Sequence, residues 1–364
     1  MAPRTRTRGV TLEDIAQRVG ITRAAASMAL ADSTRISEKT KRAVREAAAE
    51  LGYVPNSAGR ALRRQRAGAI ALIVPNTSHH VFGHTYFMHV LTGVSSSANA
   101  HDVQVIVSTN ADEAGRASAF ERIIRSGTAD GVIVTAAPVD DANVETLVAS
   151  GLPVVLLGNF PYLPEATSVG ADDVAASRLV TEHLLTVHGR TRLLHVSGPL
   201  DHQTGIDRRE GFLAALAGHG LADEAWVVEG DMSEESGAAA VVAALDSGRP
   251  FDGAVFANDD MAFGAMQVLR ARGLDVPTDV AVVGFDDFGL ARTTTPGITT
   301  MRVSAEQMAR IATDTLFAIL AGQQAGPLHQ ELPVQLVTRD SCGCPAPFPR
   351  GQAAAPWADT AVTP

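Results

Sequence analysis

Histidine and cysteine side chains are the first residues that could do chemistry, because both types bind transition metals. Four histidines share one short segment: His79, His80, His84 and His89. That segment has no cysteine and its carboxylates are distant in sequence, so a metal site there is not favoured. Cys342 and Cys344 form an isolated C-x-C pair. The pair offers too few ligands for zinc and is too closely spaced for an easy disulfide, so we expect neither.

Catalytic motifs are the next chemistry to consider. The sequence has no P-loop and no nucleophile elbow in a suitable strand-turn-helix context. We therefore predict a protein without catalytic residues, bound metal or cofactor. An enzyme that processes nucleotides or sugars is the alternative, since an α/β fold does not determine a reaction. Turnover of a sugar would favour that alternative.

Positive charge is concentrated at the N-terminus. Residues 1–66 contain 14 of the 30 Lys and Arg residues but 6 of the 40 Asp and Glu residues, in a chain whose net charge is -10. Clustered positive charge suits a polyphosphate partner, because neutralised phosphates release counterions. The basic segment therefore predicts DNA binding, with a solvated basic tail as the alternative.

Three short helices are predicted within this basic segment. Thr11 can cap the first helix, and Gly20 ends it. Thr22 can cap a second helix directly afterwards, which leaves only a tight turn between the two. A third helix is expected from the Ser37 cap to Gly52. This spacing is typical of a helix-turn-helix domain.

The second helix has unusually small side chains, with the sequence RAAASMAL. A recognition helix must bring its backbone close to the major groove, and small side chains permit that approach. We therefore expect Ala24, Ala25 and Ser27 to face DNA. An ordinary core helix is the alternative, which the basic surroundings disfavour.

A resemblance to a known family rests first on residues 11–56, which read TLEDIAQRVGITRAAASMALADSTRISEKTKRAVREAAAELGYVPN. This segment resembles the DNA-binding headpiece of the LacI/GalR family of bacterial transcription regulators. Met28 stands where that family commonly has Arg, and Met cannot make the bidentate hydrogen bonds by which Arg reads guanine. The resemblance implies an unusual operator, with Arg23 as the best remaining base reader. The headpiece residues expected at DNA are Thr11, Thr22, Arg23, Ala24, Ser27 and Met28.

The segment NSAGRALRRQR resembles the hinge helix of the same family. The match covers Asn56, Arg60 and Leu62, and Leu62 corresponds to the leucine that the family inserts into the minor groove. Such a wedge unstacks a base step and allows a bent duplex with more contacts. Gly59 replaces the usual Ala, so the resemblance implies a hinge helix that forms on DNA.

The acidic remainder alternates short apolar runs with helix-length segments. Continuous apolar strands between helices predict parallel sheets with helices on both faces. Because the pattern occurs twice, we expect an α/β core of two doubly wound lobes with a ligand cleft at the strand ends. ITTMRVS and its following helix are expected to return to the first lobe, and ELPVQLVTRDS to the second.

The expected boundaries follow from these segments. The units are a headpiece at 1–55, a hinge at 56–67, an effector-binding and dimerisation core at 68–341 and a disordered tail at 342–364. The first lobe is expected at about 68–166 and 298–328, and the second at about 167–297 and 329–341.

The core resembles the effector-binding core of the LacI/GalR family, which shares its fold with periplasmic sugar-binding proteins. The most specific match is FANDDMAFGAMQVLRARGLDVPTDVAVVGFDDFGLA. By that resemblance Asn258 and Asp286 bind effector hydroxyls, and Arg208, in GIDRREGF, matches the family's effector-binding Arg. A carboxylate, a guanidinium and an amide can hold a polyol by paired hydrogen bonds. A structural salt bridge is the alternative for Arg208 and Asp286.

The first lobe departs from the family pattern. Gly158 and Asn159 stand where many relatives carry an Asp after the fourth strand. Phe82 and Phe160 lie on predicted loops, where they could form an apolar wall against a sugar face. Ordinary loop packing is the alternative for both phenylalanines.

These observations predict a cytoplasmic, homodimeric repressor that binds a palindromic operator and responds to a sugar-like effector. We expect no membrane span and no signal peptide. A periplasmic binding protein is the alternative from a different class. It would explain only the core, and an export signal would favour it.

Overall fold

The computed structural model describes residues 10–53, 67–77, 83–110 and 117–345. Four residues assigned a role from sequence lie outside these ranges: Asn56, Arg60, Leu62 and Phe82. The chain divides into two compact units, Met1–Ala67 and Gly68–Pro364. The division coincides with the start of the core expected from the sequence.

The described part of the N-terminal unit holds three helices: α1 (Leu12–Val19), α2 (Arg23–Leu30) and α3 (Glu38–Leu51). Thr11, Thr22 and Ser37 cap them, each hydroxyl accepting a hydrogen bond from the backbone N–H three residues later. Gly20 and Gly52 end α1 and α3 with φ angles of 75° and 66°, a left-handed conformation that favours glycine. The small core comprises Ile15, Ala16, Ala26, Ala29, Val44 and Ala47.

The first sheet of the core unit has the strand order β11-β5-β4-β3-β1-β2, and each neighbouring pair is parallel. Its strands are β1 (Ala69–Thr77), β2 (Gln104–Asn110), β3 (Gly131–Thr135), β4 (Val154–Leu157), β5 (Thr167–Ala171) and β11 (His329–Leu332). The helices of this lobe are α4 (Thr85–Ala100), α5 (Ala119–Ser126), α6 (Ala142–Ala149) and α12 (Ala305–Leu320). Burial of both sheet faces accounts for the continuous apolar runs in the central strands β1, β3 and β4.

The second sheet has the order β12-β10-β9-β8-β6-β7, in which only β12 runs antiparallel to its neighbour. Its strands are β6 (Leu193–Ser197), β7 (Trp226–Glu229), β8 (Gly253–Phe256), β9 (Ala281–Asp286), β10 (Thr299–Arg302) and β12 (Gln335–Val337). The helices of this lobe are α7 (Asp173–Thr186), α8 (Gln203–Gly218), α9 (Glu234–Asp246), α10 (Asp259–Ala271) and α11 (Gly289–Thr293). The core is thus the expected pair of doubly wound α/β lobes.

The lobe boundaries expected from the sequence need correction where the chain passes between the sheets. β5 belongs to the first sheet, although residue 167 onward was expected in the second lobe. β10 pairs with β9 in the second sheet, and only the following helix α12 packs on the first lobe. β11 pairs with β5 in the first sheet, and β12 alone returns to the second. Apolar runs predict a strand but do not say which sheet edge it will join.

Residues 342–345 belong to the described structure, although the sequence suggested a disordered tail from residue 342. A short 3-10 turn covers Asp340–Cys342, and Cys342 is buried. The hydroxyl of Ser341 donates to the carbonyl oxygen of Val282 at 2.6 Å, which fastens this turn to β9. Residues 346–364 lie outside the described ranges. Within the described ranges, every helix is too short or too polar to cross a membrane.

Candidate functional site

A cavity of about 460 Å³ lies within the core unit and is lined from both lobes. Asn76 near the end of β1, Ala136 after β3 and Gly158 after β4 belong to the first lobe. Asn258 follows β8, and Asp286 ends β9, both in the second lobe. Parallel strands place their carboxyl ends at one edge, which is where ligands bind in doubly wound sheets. The volume is within the usual range for small-molecule sites.

Arg208 of α8 is the buried cation of this cavity. Its Nε donates to Asp173 Oδ1 at 3.0 Å, and its Nη2 lies 3.5 Å from Asp286 Oδ1. Nη1 also donates to the carbonyl oxygen of Ala257. The guanidinium lies 3.6 Å from the centre of the Phe285 ring, a cation–π contact. These contacts hold the planar donor group in one orientation between two carboxylates.

Burial has the largest effect on the pKa values of the two carboxylates beside Arg208. Burial raises the pKa of Asp286 to about 7, although the nearby Arg208 opposes that rise. Burial also raises the pKa of Asp173, again against the effect of Arg208. Asp286 has a φ of 107°, a conformation that costs energy for any residue except glycine. A poorly solvated carboxylate in a strained backbone gains much from a ligand that donates hydrogen bonds.

Asn258 lines the cavity, as predicted, and it also has a structural role. Its Oδ1 accepts from the backbone N–H of Met261 at 2.9 Å and thereby caps α10. Its Nδ2 donates to the carbonyl oxygen of Met232 at 2.8 Å. The amide thus connects the start of α10 to the loop after β7. The second lone pair of Oδ1 can still accept a hydrogen bond.

Several cavity residues were not predicted from the sequence. Tyr86 and His84 come from the first lobe, and the hydroxyl of Tyr86 lies 3.2 Å from Thr135 Oγ1. His84 Nδ1 lies 4.0 Å from Asp260 Oδ2, and burial raises the pKa of Asp260. The acidic residues of the lining are Asp173, Asp201, Asp231, Asp260 and Asp286. Their common signal is a position just after a strand or at the start of a helix that follows one.

The first-lobe loop after β4 contributes less than expected. Gly158 lines the cavity with a φ of 117°. Asn159 instead donates from Nδ2 to Asp207 Oδ2 at 3.1 Å and to the carbonyl oxygen of Ala171 at 3.0 Å. Phe160 packs into the first-lobe core and is not among the residues that line the cavity. The structure therefore gives Phe160 a packing role, because burial among the core side chains removes its apolar ring from water.

The second helix of the N-terminal unit, α2, has one buried side and one more accessible side. Ala26 and Ala29 are buried against α1 and α3. Arg23 and Ala24 are exposed, while Ser27 and Met28 are half-buried. Thr11 and Thr22 serve as helix caps, with Thr22 Oγ1 accepting from the backbone N–H of Ala25 at 3.2 Å. The exposed start of α2 is the part available to DNA.

Comparisons with known proteins agree with both units. Residues 11–56 match the bacterial regulatory proteins of the lacI family, and residues 181–342 match the periplasmic binding protein-like domain. The HTH-type transcriptional regulator CelR of Thermobifida fusca is 32% identical over 343 residues, or 92% of this chain and 99% of that protein. The chain belongs to the LacI/GalR family. It is therefore a DNA-binding transcriptional regulator.

Other members of the LacI/GalR family cover nearly the same length. The regulator GalR of Escherichia coli is 29% identical over 339 residues, 92% of this chain and 96% of that protein. A solved lac repressor dimer bound to operator and the anti-inducer ONPF matches with a TM-score of 0.81 at 26% identity, covering 92% of this chain and 99% of that one. A solved complex of the regulator CelR with cellobiose matches with a TM-score of 0.70 at 30% identity, covering 91% and 99%. The family assignment made from motifs is confirmed.

One group of potential metal ligands in this LacI/GalR chain includes both cysteines. Cys342 and Cys344 lie beside His183 and His188, and the four potential ligand atoms are all within 4.8 Å of one another. The sequence reasoning counted only ligands near the cysteines in the chain. The fold supplies two more ligands from the end of α7.

Proposed function

We propose that this regulator is a repressor that binds a palindromic operator as a homodimer and is controlled by a neutral, hydroxyl-rich ligand in the core cavity. The observation that carries the proposal is Arg208 held between Asp173 and Asp286 at the strand ends that line this cavity. A fixed guanidinium beside carboxylates can donate to one hydroxyl oxygen and accept from the next. The protein would act by binding, not by catalysis.

The charge of the cavity narrows the class of ligand. Among the described residues, the lining contains five Asp residues, and Arg208 is its one permanently cationic side chain. A phosphate or carboxylate group would meet repulsion from this acidic surface, while sugar hydroxyls can donate to it. The apolar lining includes Tyr86, Phe87 and Met232, which suit the less polar face of a sugar ring. The CelR complex with cellobiose supports testing β-glucosides first.

The operator and the dimer are proposed from the helix-turn-helix domain and from a solved relative. The lac repressor structure contains a dimer bound to operator. Two headpieces related by a two-fold axis would read a palindromic site, since each recognition helix enters one major groove. Because operator DNA lies in the bacterial cytoplasm, we also propose that the protein acts there.

Selection of bound fragments from genomic DNA by the purified full-length protein tests the operator. We expect enrichment of a palindrome with two half-sites about one helical turn apart. Binding that lacks an enriched sequence and simply decreases as salt rises would contradict the operator proposal. The selection is repeated with each candidate sugar, so that a regulator that requires a corepressor is still detected.

Calorimetric titration with neutral sugars, sugar phosphates and sugar acids tests the ligand class. We expect saturable binding of a neutral sugar, which Asp286→Ala abolishes while operator affinity is retained. Asp223→Ala is the matched control, because Asp223 is an exposed carboxylate in the 3-10 turn at Ala222–Glu224 of the same lobe. Preference for an anionic sugar, or unchanged binding to Asp286→Ala, would contradict the proposed site.

A further inference from the structure

Four side chains near the chain end form a cluster that the regulatory mechanism does not use. His183 lies in the last turn of α7, and His188 follows two residues after that helix ends. Cys342 ends the 3-10 turn at Asp340–Cys342, and Cys344 lies two residues further on. Among the described residues, neither cysteine forms a disulfide bond. The cluster therefore contains two imidazoles and two thiols.

Four of the six distances between ligand atoms in this His₂Cys₂ cluster match a tetrahedral metal site, and all six are within 4.8 Å. The two Nε2 atoms of His183 and His188 are 3.2 Å apart. The Sγ atoms of Cys342 and Cys344 lie 3.5 and 3.6 Å from His183 Nε2, and Cys344 Sγ lies 3.5 Å from His188 Nε2. Tetrahedral zinc at normal bond lengths separates two nitrogens by about 3.3 Å and nitrogen from sulfur by about 3.6 Å.

The backbone around the cysteines supports this convergence. Gly343, between them, has a φ of 105°, which turns the chain back upon itself. A Cβ atom at this position would lie 3.3 Å from His188 Nδ1. The sequence C-G-C therefore allows both a left-handed turn and close packing of the imidazole against the turn.

A second layer of contacts surrounds the ligand atoms. Thr299 Oγ1 lies 3.0 Å from Cys342 Sγ and can donate to a thiolate. Burial lowers the pKa of both His183 and His188, which keeps the imidazoles neutral and able to bind a cation. In the metal-free chain burial raises the pKa of Cys344 to about 11, so a metal would have to displace the thiol protons.

We propose that His183, His188, Cys342 and Cys344 bind one zinc ion in the second lobe. Two thiolates and two neutral imidazoles balance the charge of Zn²⁺, which suits a partly buried position. Four protein ligands leave no open coordination position, so the site is structural and not catalytic. It would fasten the end of the core to α7 across a separation of 159 residues between His183 and Cys342. This proposal is independent of the effector and the operator.

Metal analysis of the full-length protein, purified in reductant without a metal-affinity column, tests the site. We expect about one zinc per chain by mass spectrometry, lost in Cys344→Ser and in His188→Gln. Both residues are only half-buried, so these variants are expected to fold, which circular dichroism checks. His219→Gln is the matched control, because His219 is an exposed histidine of the same lobe. It should retain the zinc.

Cobalt substitution and thermal unfolding provide further readouts. Co²⁺ added to the metal-stripped protein should give intense tetrahedral ligand-field bands and a thiolate charge-transfer band. A chelator should lower the unfolding midpoint of the wild type by about 5 °C but leave Cys344→Ser unchanged. Folded, reduced wild type without zinc or tetrahedral cobalt bands would overturn the proposal. Zinc retained equally by both variants, or a Cys342–Cys344 disulfide in place of metal, would also overturn it.

Discussion

Asp286 illustrates how one residue can favour binding at the expense of stability. Its carboxylate is buried, its backbone has a positive φ, and Arg208 does not fully offset the loss of water. Ionising this carboxylate therefore costs free energy when no ligand donates hydrogen bonds to it. Hydrogen bonds from a ligand would relieve part of that cost, which is a general reason for strained polar residues at binding sites.

We expect Asp286→Asn to change how stability depends on pH. The pKa of Asp286 is raised from 3.8 to about 7 in the folded chain, so folding takes up a proton between these values and stability falls as the pH rises. Asn does not titrate. Its advantage over Asp in the free energy of unfolding should therefore grow by about 2 kcal/mol from pH 5 to pH 8.

Urea unfolding of both proteins at several pH values measures this difference. A difference in unfolding free energy that is constant between pH 5 and pH 8 would show that the pKa of Asp286 is not raised in the folded protein. Asp223→Asn is the matched control, because it makes the same substitution at an exposed position of the same lobe.

The site residues differ in how far the sequence could predict them. Arg208, Asn258 and Asp286 lie in motifs of the LacI/GalR family, and the structure places all three at the cavity. Asp201 and Asp231 lie on loops without a motif, and their approach depends on the order of strands in the second sheet. His183 and Cys342 are 159 residues apart in the chain and become neighbours only through that strand order.

At the scale of elements, we expect α2 to determine which operator sequence the regulator prefers. Met28→Arg should add a preference for guanine at one position of the half-site, worth about 1–3 kcal/mol against other bases. The reason is that Arg can donate two hydrogen bonds to the guanine edge, whereas Met donates none.

Binding to a panel of operator variants at fixed salt checks this preference. Gln17→Arg is the control for added charge, because Gln17 is exposed on α1. It should strengthen binding to all sequences alike. The same uniform gain for Met28→Arg would show that residue 28 does not reach the bases.

The contact between α4 and α12 sets the packing of the first lobe. A Cβ atom at Gly93 of α4 would lie 2.2 Å from the carbonyl oxygen of Glu306 and 2.9 Å from Ala309 Cβ. Gly93→Ala should therefore separate the two helices and lower the free energy of unfolding by about 2 kcal/mol.

Gly218→Ala is the matched control for this helix contact. Gly218 ends α8, and a Cβ atom there would meet nothing within 4 Å. Chemical unfolding should find this variant as stable as the wild type or slightly more stable. Equal effects of the two substitutions would mean that α4 and α12 can move apart without cost.

The elements themselves were largely predictable, while their partners were not. Helices α1, α2 and α3 each begin after a residue whose hydroxyl can cap a helix, namely Thr11, Thr22 and Ser37. The polar strand β11, in contrast, has no apolar run, and it is a strand because β5 offers a free edge. Propensity acts locally, but the choice of sheet is a property of the whole core.

At the scale of the whole molecule, ligand and operator should influence each other equally. If the sugar changes operator affinity by some factor, saturating operator must change sugar affinity by the same factor, since both follow from one coupling free energy. We expect a factor of about 5 to 150.

Titrations of the sugar with and without operator, and of operator with and without the sugar, measure the two factors. The direction of the change distinguishes an inducer from a corepressor. Factors near one in both titrations would show that the cavity ligand does not regulate DNA binding.

The position of β11 and β12 has a consequence for how the protein is made. Each is an edge strand of a different sheet, and both lie within the last part of the described chain. During synthesis, neither lobe can acquire its full set of strands until the ribosome has translated β11 and β12. A polypeptide released early would expose an unpaired strand edge on each lobe, which favours aggregation and removal by proteases.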